Sequence, residues 1–209
     1  MKAYKLTDEN NRTYNDTQWG INVSHTATGT TTFLCSDGWI HFYTHPLLAV
    51  LMNPNHAKFV NPKLWEAEAS GEMKHELLKS GCKTLTTIRE IPLPKVSRIQ
   101  RIAFVILCAK EVCKDEKWNS WADKWLSGED RSKETADVAA YAAFAAANAD
   151  ANAAAANADA NAAAAFHAAG AAAYADANAA GAAANAAGAA AVADGIDFIK
   201  IAKKALTIS

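Results

Sequence analysis

Cys35, His41, His45 and His56 are the one cluster of metal-ligand side chains in the first third of the chain. His41 and His45 stand in an H-x-x-x-H spacing, which suits zinc when both residues lie on one helix. Pro46 works against that arrangement, because it makes any helix begin after His45. A strand would also put His41 and His45 on one face, since its side chains alternate with period two. The cluster therefore stays open as a site, and the expectation is that no metal is held.

Acid–base chemistry has a second set of candidates. Glu66 and Glu68 in "LWEAEAS" point to one face of a strand, and Arg89 and Ile91 share a face in "KTLTTIREI". Paired carboxylates can exchange protons with a substrate where a cleft raises one pKa. The plainer reading is a solvated strand face. His167 is a lone titratable group inside an alanine tract, either hydrogen-bonded or facing solvent. The hydrolase elbow G-x-S-x-G, the phosphate loop G-x-x-x-x-G-K-[ST] and the dinucleotide fingerprint G-x-G-x-x-G are all missing from the sequence.

The elements that must position these residues follow from periodicity. "KAYKL" at 2–6 alternates as a short strand and breaks at "TDENN"; the threonine-rich stretch after it fits strand or loop. "GWIHFY" at 38–43 reads as a buried strand, and "HPLLAVLMNP" as a short helix with Pro46 in its first turn and Pro54 beyond its end. Segments 64–70 and 83–91 alternate as strands of one sheet. "GEMKHELLKSG" between them reads as a helical turn or loop ended by Gly81.

Past Pro94 the period changes to helical. Val96, Ile99, Ile102, Ala103, Ile106 and Ala109 predict a largely buried helix over 95–113. Trp118, Trp121 and Trp125 at i, i+3 and i+7 share one face of a shorter helix stopped by Ser127 and Gly128. That face is either a partner-binding patch or a core seam between two domains.

Of the 58 residues from 136 to 193, 38 are alanine, so this segment is read as helical scaffold with little capacity for chemistry. Asn and Asp fall on two edges with alanine faces between them, while Gly170, Gly181, Gly188 and Gly195 return to one stripe that would let helices approach closely. Unbroken, the segment would run about 87 Å, so a hairpin near Phe166–Gly170 is expected. The fold class expected is α+β: a small N-terminal sheet domain with short helices over 1–93, connecting helices with the tryptophans over 94–131, and an all-α alanine-rich hairpin or bundle over 132–206.

A net charge of −1 argues against a nucleic-acid or membrane-surface binder. The opening residues are polar within six positions, and the apolar run "IAFVILCA" is far short of about 20 residues, so neither a secretory signal nor a membrane span is expected. The four cysteines lack C-x-x-C spacing and read as free thiols of a cytosolic protein.

The opening "MKAYK", with "GWIHFYTHPLLAVLM", "LWEAEASGE" and "GCKTLTTIREI", resembles a domain family of phage and prophage proteins over about residues 1–92. Tyr43 and Thr44 stand where that family usually has a cysteine and a polar residue. The stretch "WADKWLSGEDRSKETADVAAYAAFAAA" is similar to alanine-rich helical modules of phage proteins and of candidate bacterial immunity proteins. These resemblances imply a phage–host conflict setting and no particular reaction.

The function expected is that of a non-enzymatic phage or prophage accessory protein in the host cytosol. It would bind a host protein, inhibit a defence system, need no cofactor, and could self-associate through its alanine and glycine faces. Trp118, Trp121 and Trp125 are the candidate partner-binding residues. The stretch at 38–51 also resembles the glycine-led strand and following helix of ADP-ribosyltransferase-like folds. That resemblance implies a ligand pocket in which His41 or Tyr43 holds a nicotinamide cofactor and Glu68 or Glu90 polarises the ribose. A nucleotide-sequestering sponge and a structural or virion-associated role are the remaining alternatives.

Overall fold

A computed structural model of the 209-residue chain describes residues 1–53, 59–75, 78–140 and 196–209. His56, His167, the alanine and glycine faces and the expected hairpin lie outside the described residues. The chain divides into two units, Met1–Lys95 and Val96–Ser209.

The first unit is an antiparallel sheet. Its strands are β1 (Lys2–Thr7), a two-residue pair β2 (Arg12–Thr13) and β3 (Thr17–Gln18), β4 (Val23–Thr26), β5 (Ile40–Phe42), β6 (Lys63–His75) and β7 (Ser80–Ile91). The order across the main sheet is β1-β6-β7-β4, and β5 also pairs with β7. β4 lies against Thr84–Thr87 and β5 against Ser80–Cys82, so the two short strands share one side of β7. Beyond β5 the chain reaches β1: the Tyr4 N–H donates to the Tyr43 carbonyl at 2.9 Å and the Tyr43 N–H to the Tyr4 carbonyl at 2.8 Å. The sheet is thereby bent until its first strand meets the end of β5, and one face turns inward.

That inner face follows from alternation. Ala3 faces Ala67, and Ala67 and Ala69 are followed along the sheet by Leu85 and Cys82; Trp19 and Phe42 fill the space above these small side chains. The short helix α1 (Pro46–Leu51) follows, with Pro46 in its first turn and the His45 ring accepting the Leu47 N–H at 3.2 Å. Pro46 lacks the N–H that a first turn leaves unpaired, so its place here costs nothing.

The helical turn or loop expected over 71–81 gives way to strand at both of its ends. Residues 71–75 continue β6, and Ser80 and Gly81 begin β7. Gly71 has φ +77° at a register shift between Ser70 and Met73, where β6 carries one residue more than β7. A glycine in the left-handed region is the signature of a β-bulge, and it keeps the strand paired while bending it. Helix-forming Glu72, Met73 and Lys74 are held extended by the ladder, whose hydrogen bonds outweigh their local preference.

In the second unit α2 (Arg98–Val112) starts at a capping box: Ser97 Oγ accepts the Gln100 N–H at 3.2 Å, and Gln100 Oε1 accepts the Ser97 N–H at 2.9 Å. The helix α3 (Glu116–Ser127) is capped by Asp115 and ends at Gly128, which adopts the left-handed conformation with φ +83°. Residues 133–140 are helical, and a C-terminal helix, Phe198–Ala205, packs Phe198, Ile201, Ala202 and Ala205 inward beside α2.

Candidate functional site

The outer face of the first unit's sheet carries side chains in transverse rows set by the register. One row is Ser70, Thr84 and Thr26; the next is Lys2, Glu68, Thr86 and Ser24; the third is Tyr4, Glu66 and Arg89. Each of these residues alternates with an inward-facing neighbour, Ala67 and Ala69 among them, and so stands outward. Thr86 Oγ1 donates to Ser24 Oγ at 3.0 Å, and the Thr26 and Thr84 hydroxyls lie 3.0 Å apart. Lys2, Ser24, Thr26, Glu68, Ser70 and Arg89 are exposed. With strands about 4.8 Å apart and about 3.3 Å per residue, the array spans about 14 by 13 Å.

Glu66 is the fixed charge of this face. Lys2 Nζ lies 3.0 Å from Oε1, and the Arg89 guanidinium reaches Oε2 at 2.7 and 3.1 Å. Hydrogen bonds from Lys2 and then Arg89 hold its carboxyl below the usual range, so at neutral pH it is an acceptor with no proton to give. The two carboxylates therefore stand on the outward side of β6, Glu66 half-buried in its ion pairs and Glu68 exposed. Glu68 lies between Lys2 and Thr86, one row from Glu66.

The inner face holds a different group. Lys5 pairs across from Trp65, its Nζ donates to the His41 carbonyl at 2.7 Å, and the same nitrogen lies 5.2 Å from the centre of the Trp19 ring. Burial pushes the Lys5 ammonium down to about 8, with Cys82 nearby acting the other way. Burial likewise pushes the Cys82 thiol up to about 11. Tyr43, buried beside β1, has its phenol raised by burial as well. Lys5 was not singled out by sequence reasoning, although the alternation of "KAYKLT" already puts it on the face of Ala3 and Thr7.

The four residues of the expected ligand pocket do not come together. His41 sits opposite Gly81 and Glu68 opposite Thr86, five positions further along β7, or about 17 Å. Glu90 is exposed across from Trp65 near the end of β7, and Tyr43 is buried beside β1, its main chain bridged to Tyr4. Of the candidate metal ligands, for which no metal is expected, the His41 ring meets the Leu34 carbonyl, His45 caps α1, and Cys35 Sγ accepts from Lys79 Nζ. Among the described residues no three His, Cys, Asp or Glu side chains converge as a metal site.

Trp118, Trp121 and Trp125 do share one face of α3, and all three are buried, at 2, 9 and 2% exposure. The rings of Trp118 and Trp121 are 5.6 Å apart, and the Arg131 guanidinium lies 4.9 Å from the Trp125 ring. As a surface for a partner these indoles offer no open ring. They form core within the second unit.

Residues 1–99 match the family model described as "Domain of unknown function (DUF7666)". The match takes in the whole sheet unit and the first residues of α2. No curated protein and no solved structure matches the chain. No helix among the described residues is long and apolar enough to cross a membrane.

Proposed function

We propose that the chain is a non-enzymatic binding protein that engages a host protein through the outer face of its N-terminal sheet. The observation that carries this reading is the array of outward rows, in which hydroxyls and a Lys2–Glu66–Arg89 network lie open and aligned over four strands. An array of about 14 by 13 Å covers roughly a quarter of the 800 Å² that one partner contributes to a standard interface, so it forms the centre of the contact and not the whole. The bulge at Gly71 and the bridge from Tyr4 to Tyr43 hold the face in one curvature, which lowers the ordering cost of binding. The phage and prophage resemblance of residues 1–92 supports a partner in the bacterial host, with inhibition of a defence component as the outcome.

Charge and bulk placed in the middle row test the proposal. Glu68→Arg and Thr86→Arg, each on the full chain, are compared with the wild type in capture from defence-bearing bacterial lysate. A photo-crosslinking residue at position 86 reports what lies against the face. The expected result is one stoichiometric host protein, cross-linked at position 86 and lost with both variants, at an unchanged unfolding temperature. Retention of that protein by both variants would overturn the assignment of the face.

A further inference from the structure

The loop between β4 and β5, residues 27–39, is folded on itself and tied down to the β6–β7 hairpin. The Gly29 N–H donates to the Asp37 carbonyl at 3.2 Å and Thr31 Oγ1 to Asp37 Oδ1 at 2.8 Å. A Cβ at Gly29 would collide with Asp37, and one at Gly38 with the Thr31 carbonyl, so the two limbs of the loop lie in contact. Three hairpin lysines reach it. Lys74 Nζ donates to the Thr32 carbonyl at 2.9 Å and Lys83 Nζ to the Gly38 carbonyl at 2.8 Å. Between these anchors Lys79 Nζ donates to Cys35 Sγ. The residue before the thiol is fixed as well: Leu34 is buried against Gly81, where a Cβ would collide with it, and its carbonyl meets the His41 ring.

The thiol and the amine are therefore held in contact from both sides, and the thiol is open to solvent. Cys35 is exposed, whereas Cys82, Cys108 and Cys113 are buried. Exposure selects which cysteine an oxidant reaches first. A nucleophile fixed against the reacting atom has a high effective concentration, which decides what happens to the first oxidation product.

We propose that Cys35 and Lys79 form an oxidant-dependent modification site that closes a sulfenamide bond between Sγ and Nζ. Hydrogen peroxide first transfers one oxygen to the thiol, giving a sulfenic acid and water; the sulfur is oxidised by two electrons and the peroxide O–O bond is reduced. The Lys79 amine, its ammonium proton released to solvent, then attacks Sγ. The S–N bond forms, the S–O bond breaks, and the hydroxyl departs with one N–H proton as water. Counted from the neutral amine, thiol, amine and peroxide give sulfenamide and two waters. An added thiol reverses the bond by attack at sulfur, and while closed it staples the 27–39 loop to the start of β7.

The full chain is treated with hydrogen peroxide, digested with trypsin and read by mass spectrometry. The expected product is one cross-linked peptide pair joining Cys35 and Lys79, lighter by two hydrogens than the sum of its parts. Cleavage at Lys79 is lost and returns after dithiothreitol. Lys79→Arg keeps the positive charge but should give no cross-link, and a sulfenic-acid trap should then label Cys35 more heavily than in the wild type. Sulfinic or sulfonic acid at Cys35 with Lys79 still cleaved, equal trapping in the two proteins, or an unoxidised Cys35 would each overturn the proposal.

Discussion

Lys5 puts an ammonium on the inner face of the sheet, against the Trp19 ring and the His41 carbonyl, and burial lowers it from 10.5 to about 8. Below pH 8 both folded and unfolded chains carry the charge, and the folded one bears the cost of desolvating it. Between about 8 and 10.5 the folded amine is neutral while the unfolded amine is still protonated, so the unfolded state binds more protons and stability rises with pH. From pH 7 to pH 9 this one group adds about 1.3 kcal/mol, and the whole shift is worth about 3 kcal/mol.

Three thiols oppose it. Burial raises Cys82, Cys108 and Cys113, so their unfolded forms ionise near 9 before the folded forms do, and stability is lost as pH climbs through that range. In the wild type the thiols therefore offset part of the gain from Lys5 as pH rises toward 9. Lys5→Met keeps the length of the side chain and removes the titration, so the variant should fall over the same interval. The gap between the two proteins, wild type minus variant, should grow by about 1.3 kcal/mol, or a midpoint difference of roughly 0.5–1 M in urea. Urea unfolding of both full chains at pH 7, 8 and 9 measures this. The lost packing of the side chain shifts the variant by a constant that cancels from the pH dependence, while the cation–π contact belongs to the charged amine and fades with it. A gap that stays constant to a few tenths of a kcal/mol would refute the claim that the Lys5 ammonium is desolvated.

Gly71→Val forces a β-branched residue to φ +77° with its Cβ about 3.1 Å from that of Lys83; thermal unfolding should show a loss of about 1–2 kcal/mol or more, and Gly71→Asn should lose less because Asn tolerates that region. Ser97→Ala removes the acceptor for the Gln100 N–H, and urea unfolding should register about 1 kcal/mol. Trp118→Ala empties the site of a 2% exposed indole in the second unit, for which about 3–5 kcal/mol is expected, read as a lower unfolding midpoint by circular dichroism.

Local chemistry in the chain was sufficient for the elements whose cause is local. The alternation of Trp65, Ala67 and Ala69 against Glu66 and Glu68 marks β6, Pro46 marks the start of α1, and the three- and four-residue returns from Ile99 to Ala109 mark α2. The end of β6 reads in the sequence as a helical turn or loop because Glu72, Met73 and Lys74 are good helix formers. What holds them extended is a cross-strand ladder to Ser80–Cys82, and a glycine at a bulge looks in one dimension like a glycine at a turn. The tryptophans show a separate limit. An i, i+3, i+7 stripe is the same string whether it faces core or solvent, so the period of Trp118, Trp121 and Trp125 was visible and its direction was not.

The candidate face escaped for a reason of the same kind. Alternation tells which residues of one strand point outward; it does not tell which outward residues of different strands are neighbours. Glu66 and Glu68 could be named as outward from their own segment, whereas strict alternation puts Arg89 on the face of Leu85 and Thr87 and only the extra residue Ile88 turns it outward. That Thr86 stands beside both Glu68 and Ser24 depends on two registers. One of these is displaced at Glu66/Ala67, where Ile88 is the extra residue of β7. Moving that pairing by one position would turn Thr84 and Thr86 to the inner face and break every row. A surface whose recognition depends on rows is therefore written in the pairing of β1, β6, β7 and β4. The bulges and the Tyr4–Tyr43 bridge, which set curvature and pairing, are as much a part of the binding surface as the side chains that would touch a partner.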